Sequence, residues 1–425
     1  LGVLALGTLA VGPVYGAGFA IFEQGSKAMG MAGAFTAQAD DPSALWHNAG
    51  GLAFVTHSEF AVGATYIKGL KADFKGADPF PGQGYSAEQQ KLSVLVPHLY
   101  WVAPISPTWK IGLGVETPFG LKTEWKDPAN FAGRFLSTLA DLKAIDVNPT
   151  LGWQVTPNFG IGVGAIARFS EVELKRDIPQ VNPFTLRVAD IGTLDLKSDR
   201  KTGYGWNFGL LHRVNSSFSW GLSYRSKVKL DYTGDARVRQ NLTGNPQFDA
   251  LIASRVPFNT ALPVKTSIDF PDMASLGLAF ALSPNLLLET DVNWTGWSSF
   301  DKVTIDFTGG ATNSLPDTTI PEQWKDVYNY RAGLRWGTGP STEWRFGYVL
   351  DHTPQQEAGV SPLLPDADRN GFTLGWGHKG AVRADLAVMY LDFKSRSRNT
   401  SFPGEGPFFG TYKTRALLVG ATLGF

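Results

Sequence analysis

From residue 57 to residue 425 the chain alternates apolar and polar residues in strand-length pieces separated by turn residues. Between Phe218 and Tyr232, the apolar Phe218, Trp220, Leu222, Tyr224, Val228, Leu230 and Tyr232 share one face. Ser219, Gly221, Ser223, Arg225, Lys227, Lys229 and Asp231 share the other, and only Ser226 is out of step. Successive side chains of a strand point to opposite faces, so this spacing predicts a strand with one greasy and one polar side. Leu286, Leu288, Val292 and Trp294, set against Glu289, Asp291 and Asn293, repeat the pattern. About fourteen such segments occur, an even number as bacterial single-chain barrels require. Their centres lie near Val62, Tyr100, Gly112, Leu151, Ala165, Phe208, Tyr224, Leu276, Val292, Ala332, Phe346, Leu374, Val388 and Val419.

The connections alternate in length. Short ones fall at 105–107, 156–158, 215–217, 283–285, 338–341 and 378–380; long ones at 69–90, 122–145, 178–194, 234–262, 308–323, 352–367 and 397–411. A soluble sandwich also alternates polar and apolar residues, but it has no reason to alternate its loop lengths. Short turns on one rim and long loops on the other are the outer-membrane arrangement. The expected fold is therefore all-β, a fourteen-stranded antiparallel transmembrane β-barrel spanning residues 57–425. In the second long connection, Asp127 and Pro128 supply a cap and a first helical residue, and Phe131, Phe135, Leu139 and Leu142 recur at helical spacing, which predicts a loop helix.

Residues 17–56 break the alternation. They are rich in Gly and Ala, carry few charges and hold neither period. They read as an N-terminal hatch, a plug inside the barrel lumen, entering from the periplasmic side where strand parity also puts Phe425. Residues 1–16, LGVLALGTLAVGPVYG, are too short and apolar a run to span a bilayer as a helix. They read as the remnant of a signal peptide, with Val14 and Gly16 before the cleavage position.

Composition narrows the chemistry. Lys+Arg and Asp+Glu balance at 38 each, which argues against a nucleic-acid partner held by a positive field. There is no Cys, so thiolate metal sites and thiol nucleophiles are excluded. The six His show no metal-ligand spacing, and no nucleophile elbow or P-loop is present. Gly160, Gly162 and Gly164 lie in an alternating stretch and read as strand glycines. The run Asp366 to Gly371 matches half a calcium loop, but Gly377 stands where the bidentate Glu belongs, so it reads as a turn at a loop-to-strand junction. No enzymatic constellation, cofactor site or metal site emerges.

Small polar solutes use a water-filled lumen, whereas apolar solutes need a dry route. A plug bearing Phe19, Ile21, Phe22, Met29, Met31, Phe35, Leu45 and Trp46 is suited to making one. At this point the sequence resembles the FadL family of outer-membrane transporters for long-chain fatty acids and related hydrocarbons. The likeness rests on the start Ala17-Gly18-Phe19, the hatch block ADDPSALWHNAGGLAF, and VPHLYWVAPIS, GWNFGLLHRV, LSYRSKVKLDYTGD, NWTGWSSF, WKDVYNYRAGLRW and LPDADRNGFTLG, in family order. It implies a fourteen-stranded barrel with a hatch, capture among outer loops, transfer to a lumen pocket, no cofactor and no energy coupling. The hatch signature is carried by Asp40, Asp41, Asn48, Ala49 and Gly50, and it lacks the family's stiffening Pro after Asn48. The connection after the fifth strand is short for an outer capture groove.

The resulting expectation is a monomeric outer-membrane protein for passive uptake of long-chain fatty acids or similar hydrophobic molecules, with membrane lipid and no nucleic acid as its other partner. The alternatives are an aromatic-hydrocarbon channel, a polar porin and an outer-membrane lipid hydrolase. Candidate ligand residues are Phe19 and Phe22 in the hatch and Arg168 as the cation, with Glu289 or Asp291 as competing partners for Arg168. Phe248, Leu251, Ile252 and Phe258 are candidates for outer capture, since exposed apolar patches mark binding sites. In the third strand, Pro118 has no N–H to donate and Gly120 tolerates unusual backbone. Thr117, Pro118, Phe119 and Gly120 are thus the expected wall interruption and lateral exit, with Pro97 in the second strand as the competing bulge.

Overall fold

A computed structural model describes residues 18–307 and 315–425; the expected signal segment lies outside them. Fourteen strands form the wall: β1 Glu59–Gly76, β2 Ser93–Pro104, β3 Trp109–Glu124, β4 Leu139–Thr156, β5 Phe159–Asn182, β6 Lys201–Arg213, β7 Phe218–Arg225, β8 Met273–Ser283, β9 Leu286–Thr295, β10 Val327–Gly337, β11 Thr342–Asp351, β12 Arg369–His378, β13 Arg383–Phe393 and β14 Gly410–Gly424. Each pairs antiparallel with the next, and β14 returns to β1 from Ala61↔Gly424 to Gly76↔Gly410. Closure removes sheet edges, which is what permits strands to cross hydrocarbon. Every expected strand centre falls inside one of these strands. The alternation sorts as read: Val292 and Trp294 turn outward or sideways, while Glu289, Asp291 and Asn293 are buried inside.

Three expectations are corrected. First, 218–232 is not one continuous greasy face. The ladder breaks at Ser226 and Lys227, where Trp206 N–H donates to Ser226 Oγ and Ser226 N–H to the Trp206 carbonyl. Below the break the even residues face outward; above it Val228, Leu230 and Tyr232 are buried inside, with Val228 lying over Gly203 and Gly205 of β6. Second, no helix forms over 128–142. Turns occupy 128–130 and 132–136, and Leu139 opens β4, whose Ala140, Leu142 and Ala144 face the core at period two. The helical spacing is overridden because strand pairing with β3 and β5 uses the same residues. Third, the connection after the fifth strand is not a short loop. β5 runs for 24 residues, far beyond the roughly ten a bilayer needs, and returns as Arg187–Ser198.

That hairpin begins an outer sheet above the barrel. Arg187–Ser198 pairs with Val228–Gln240, which pairs with Leu262–Phe270. Lys302–Phe307 and Thr318–Pro321 complete it. Leu194, Leu196, Ala236, Val238, Val264, Ile305 and Phe307 form its apolar core. Residues 18–56, read from the sequence as a hatch and called so below, contain two short helices, α1 Ser26–Met29 and α2 Ala44–His47, and a 3-10 turn, Ala49–Phe54. A third helix, α3 Pro246–Ala253, covers the outer sheet; Asn245 caps it by accepting the Phe248 N–H at 3.1 Å.

Candidate ligand pathway

The hatch is tied to the wall by inward polar residues. Asp291 accepts the Phe35 and Thr36 N–H groups, each at 3.1 Å. Glu289 accepts the Ala37 N–H and the Gln38 amide. Arg331 donates to the Ala32 carbonyl at 2.7 Å, Thr373 to Gly30 and Tyr100 to Gln24. Asn48 holds the turn without a following Pro: its Oδ1 accepts the Gly50 N–H, and its amide donates to the Thr36 and Leu210 carbonyls. A Cβ at Gly162 of β5 would collide with Ala49, so glycine there lets the hatch lie directly on the wall. Asp40 sits between Lys27 at 2.7 Å and Arg335 at 3.0 Å, and Asp41 meets Arg383 at 3.0 Å. Burial alone would raise the Asp40 carboxyl, but Lys27 and Arg335 outweigh it and hold the group well below its usual range.

The start of the hatch is tied as well, by the Gly18 N–H donating to Asp366 Oδ2 at 3.1 Å. Phe19 inserts among the rings of Phe119, Phe270, Trp297, Phe300 and Trp324, at centroid distances of 4.7–5.9 Å. Phe22 lies three residues lower, under the Arg331 guanidinium. It borders a small cavity of about 30 Å³ whose wall includes Thr36, His47, Arg225 and Asn293. The cavity below Phe22 is lined mainly by polar groups; above it, Leu121, Leu142, Val172, Leu230, Ile268, Val349, Leu364, Met389 and Leu391 supply a mostly apolar lining, interrupted by the buried pairs Arg168–Asp146 and Arg369–Asp351.

Strand β3 is interrupted where its sequence suggested. Its pairing with β2 ends at Leu99↔Val115, and its pairing with β4 slips between Glu116 and Phe119. The freed backbone is taken up by the hatch. Ile21 N–H donates to the Pro118 carbonyl at 2.8 Å, and Gly120 N–H to the Phe19 carbonyl at 3.0 Å. Gln24 bonds both the N–H and the carbonyl of Thr117. Pro97 lies on the opposite side of this gap, its carbonyl accepting the Thr117 hydroxyl, and the β1–β2 register runs through it unbroken.

Arg168 is buried and faces inward, but it is engaged: Nε and Nη2 donate to the two oxygens of Asp146, each at 2.8 Å. Its guanidinium stacks on Phe119 and Phe270, and Nη1 has no hydrogen-bond partner among the described residues. The acids expected to compete for it, Glu289 and Asp291, hold the hatch instead. Phe19, Phe119 and Arg168 thus come together, whereas Phe248, Leu251, Ile252 and Phe258 do not join them. Phe248 and Ile252 are buried against Ile191, with Leu251 and Phe258 packed on the same cluster, so these four hold α3 to the outer sheet.

A further site was not singled out by sequence. Leu136, Leu174, Leu194, Leu196, Ile305, Ile320 and Leu363 line a cavity of about 20 Å³ against the outer sheet, together with Ser137 and Arg176. The Ser137 hydroxyl is buried without a partner among the described residues. Among the described residues, Arg176 hydrogen-bonds the Thr318 hydroxyl alone, at 3.4 Å. This aliphatic cup, which Lys175 also lines, brings cationic groups and a hydroxyl together with apolar side chains; at about 20 Å³ it has room for a water-sized group, so an acyl chain would enter only if the lining opened. Arg176 stands eight positions after Arg168 in the same strand, hence on the same face; that parity was the available signal.

Known proteins share this architecture. Long-chain fatty acid transport protein of Escherichia coli O6:H1 is 25 % identical over 402 residues, covering 89 % of this chain and 87 % of its own. Outer membrane protein P1 of Haemophilus influenzae Rd is 24 % identical, covering 91 % and 88 %. The crystal structure of a Pseudomonas aeruginosa FadL homologue superposes with a TM-score of 0.82 at 20 % identity, covering 96 % of this chain and 99 % of that one. The Ralstonia pickettii toluene transporter TbuX gives 0.68 at 16 %, covering 95 % and 99 %. A family model for outer membrane protein transport proteins (OMPP1/FadL/TodX) matches residues 7–425, and the chain belongs to that family of outer-membrane transporters.

Proposed function

We propose that the protein takes up long-chain fatty acids, or hydrophobic molecules of similar length, passively across the outer membrane. The ligand enters through the outer sheet and rests in the cup with its carboxylate on Arg176 and Ser137. It then moves into the apolar lumen beside Phe19 and leaves sideways between β2 and β3 at Thr117–Gly120. The observation that carries the reading is the interrupted β3, whose open backbone is capped by the first described residues of the hatch. The anchored hatch and the polar cavity below Phe22 support a sideways route, because an apolar chain gains nothing by crossing charged, hydrogen-bonded groups. Aromatic hydrocarbons are the second reading, favoured by the ring cluster around Phe19.

The chain has no Cys, which makes a direct test simple. Cysteines at Leu95 and Thr117, joined by a short thiol crosslinker, close the gap between β2 and β3. Uptake of labelled oleate by cells should then stop, while the same variant without crosslinker transports normally. Undiminished uptake with the gap crosslinked overturns the sideways route. Arg176→Ala should weaken oleate binding about tenfold, as expected for losing one charge-assisted contact of roughly 1.4 kcal/mol, and leave a hydrocarbon of equal length unaffected.

A further inference from the structure

The extracellular tip of the β5 hairpin is apolar, and nothing in the transport path explains it. Leu186 is 83 % exposed and Leu242, on the adjoining strand end, 79 %; Val181, Phe184 and Val188 are each more than half exposed. Val181 and Val188 are direct cross-strand partners, so the patch is continuous across the hairpin. Its turn is fixed. Phe184 N–H donates to Asn182 Oδ1 at 2.9 Å and Leu186 N–H to the Asn182 carbonyl at 2.8 Å. Leu186 is held at φ +55°, a conformation that disfavours Leu and suits Gly or Asn. A strained, fully exposed Leu at the outermost turn serves no packing purpose.

The charge around the tip is positive. Arg187 is exposed beside the turn, and Arg239 and Arg255 are exposed on the segments behind it; of the neighbouring acids, Asp190 is paired with Arg134 at 3.5 Å, while Asp249 keeps its charge and accepts the Thr243 hydroxyl. The same hairpin also carries Leu174, Arg176, Leu194 and Leu196, so its inner face is a wall of the cup. A partner for this surface must be apolar and anionic at once. We propose that the tip docks on the surface of fatty-acid aggregates, micelles or droplets coated with carboxylates, and so delivers ligand from them into the cup. The inference rests on the uptake reading above, whose ligands are mostly aggregated in water.

The test uses the full chain in the outer membrane of intact cells. Labelled oleate is supplied either as monomer buffered by albumin or as micelles. Phe184→Ser combined with Leu186→Ser should lower uptake from micelles about fivefold, the gain expected from raising local ligand concentration, and leave uptake from albumin unchanged. Arg187→Glu with Arg239→Glu should act likewise on micelles and have no effect when oleate is carried in droplets coated with neutral surfactant. Equal uptake by variant and wild type from micelles overturns the proposal, as does an equal loss from both sources. If the wild-type protein takes up oleate from neither source, the uptake reading itself fails.

Discussion

Asp291→Ala isolates what keeps the hatch in place. The carboxylate is buried and receives two hatch N–H groups, Phe35 and Thr36, each at 3.1 Å. A hydrogen bond to a charged group is worth about 1.5–3 kcal/mol, so losing both costs about 3–6 kcal/mol. Removing the charge beside Glu289 returns on the order of 1 kcal/mol. The net, about 2–5 kcal/mol, falls on hatch docking, because Asp291 pairs with Gly277 and Arg331 through backbone that the substitution leaves intact. Each 1.4 kcal/mol is about a factor of ten, so the undocked fraction should rise at least tenfold. In planar bilayers the variant should show frequent openings where the wild type is quiet, while its barrel keeps its heat-resistant mobility on gels. Asp291→Asn retains an acceptor oxygen and should stay close to wild type. A quiet Asp291→Ala channel with an intact hatch would refute the assignment of these bonds as anchors.

Other outcomes follow from the same structure. Gly162→Val should lift the 3-10 turn off β5 and raise conductance, since the new side chain occupies the space of Ala49; a quiet channel contradicts the close approach. Glu322, buried beside Trp324 in an outer loop, has its carboxyl pushed up to about 8 by burial, only partly offset by the Trp324 N–H. A raised carboxyl stabilises the fold fully below about 4.5, and that stability is lost as pH climbs through about 8, with a slope approaching 1.4 kcal/mol per unit between those values. Melting from pH 5 to 9 should show the decline, and Glu322→Gln should flatten it. Phe248→Ala should destabilise the outer sheet by about 3 kcal/mol, as for other buried Phe truncations, without changing oleate affinity; lost affinity with normal melting would return Phe248 to the capture site.

The sequence by itself determined the barrel. Side-chain alternation is local and has a period of two, so strand centres, strand number, the inward placement of Glu289 and Asp291 and the alternating loop lengths were all legible from residue 57 onward. The β3 interruption was legible too, because Pro118 lacks its N–H whatever surrounds it. Tertiary structure alone decided which inward charges are spoken for. Arg168 and Arg176 share a strand face, and nothing local shows that Asp146, 22 residues away, takes the first while the second meets the Thr318 hydroxyl. It also decided the face reversal at Ser226, where partners on β6 set the direction, and the strand at Leu139, where neighbours β3 and β5 override helical spacing. Phe248 and its neighbours looked exposed because a loop's own core is built from residues distant in sequence. The physical reason is common to all of these: periodicity is written along the chain, but the pairing of charges and the covering of apolar surface are settled across it.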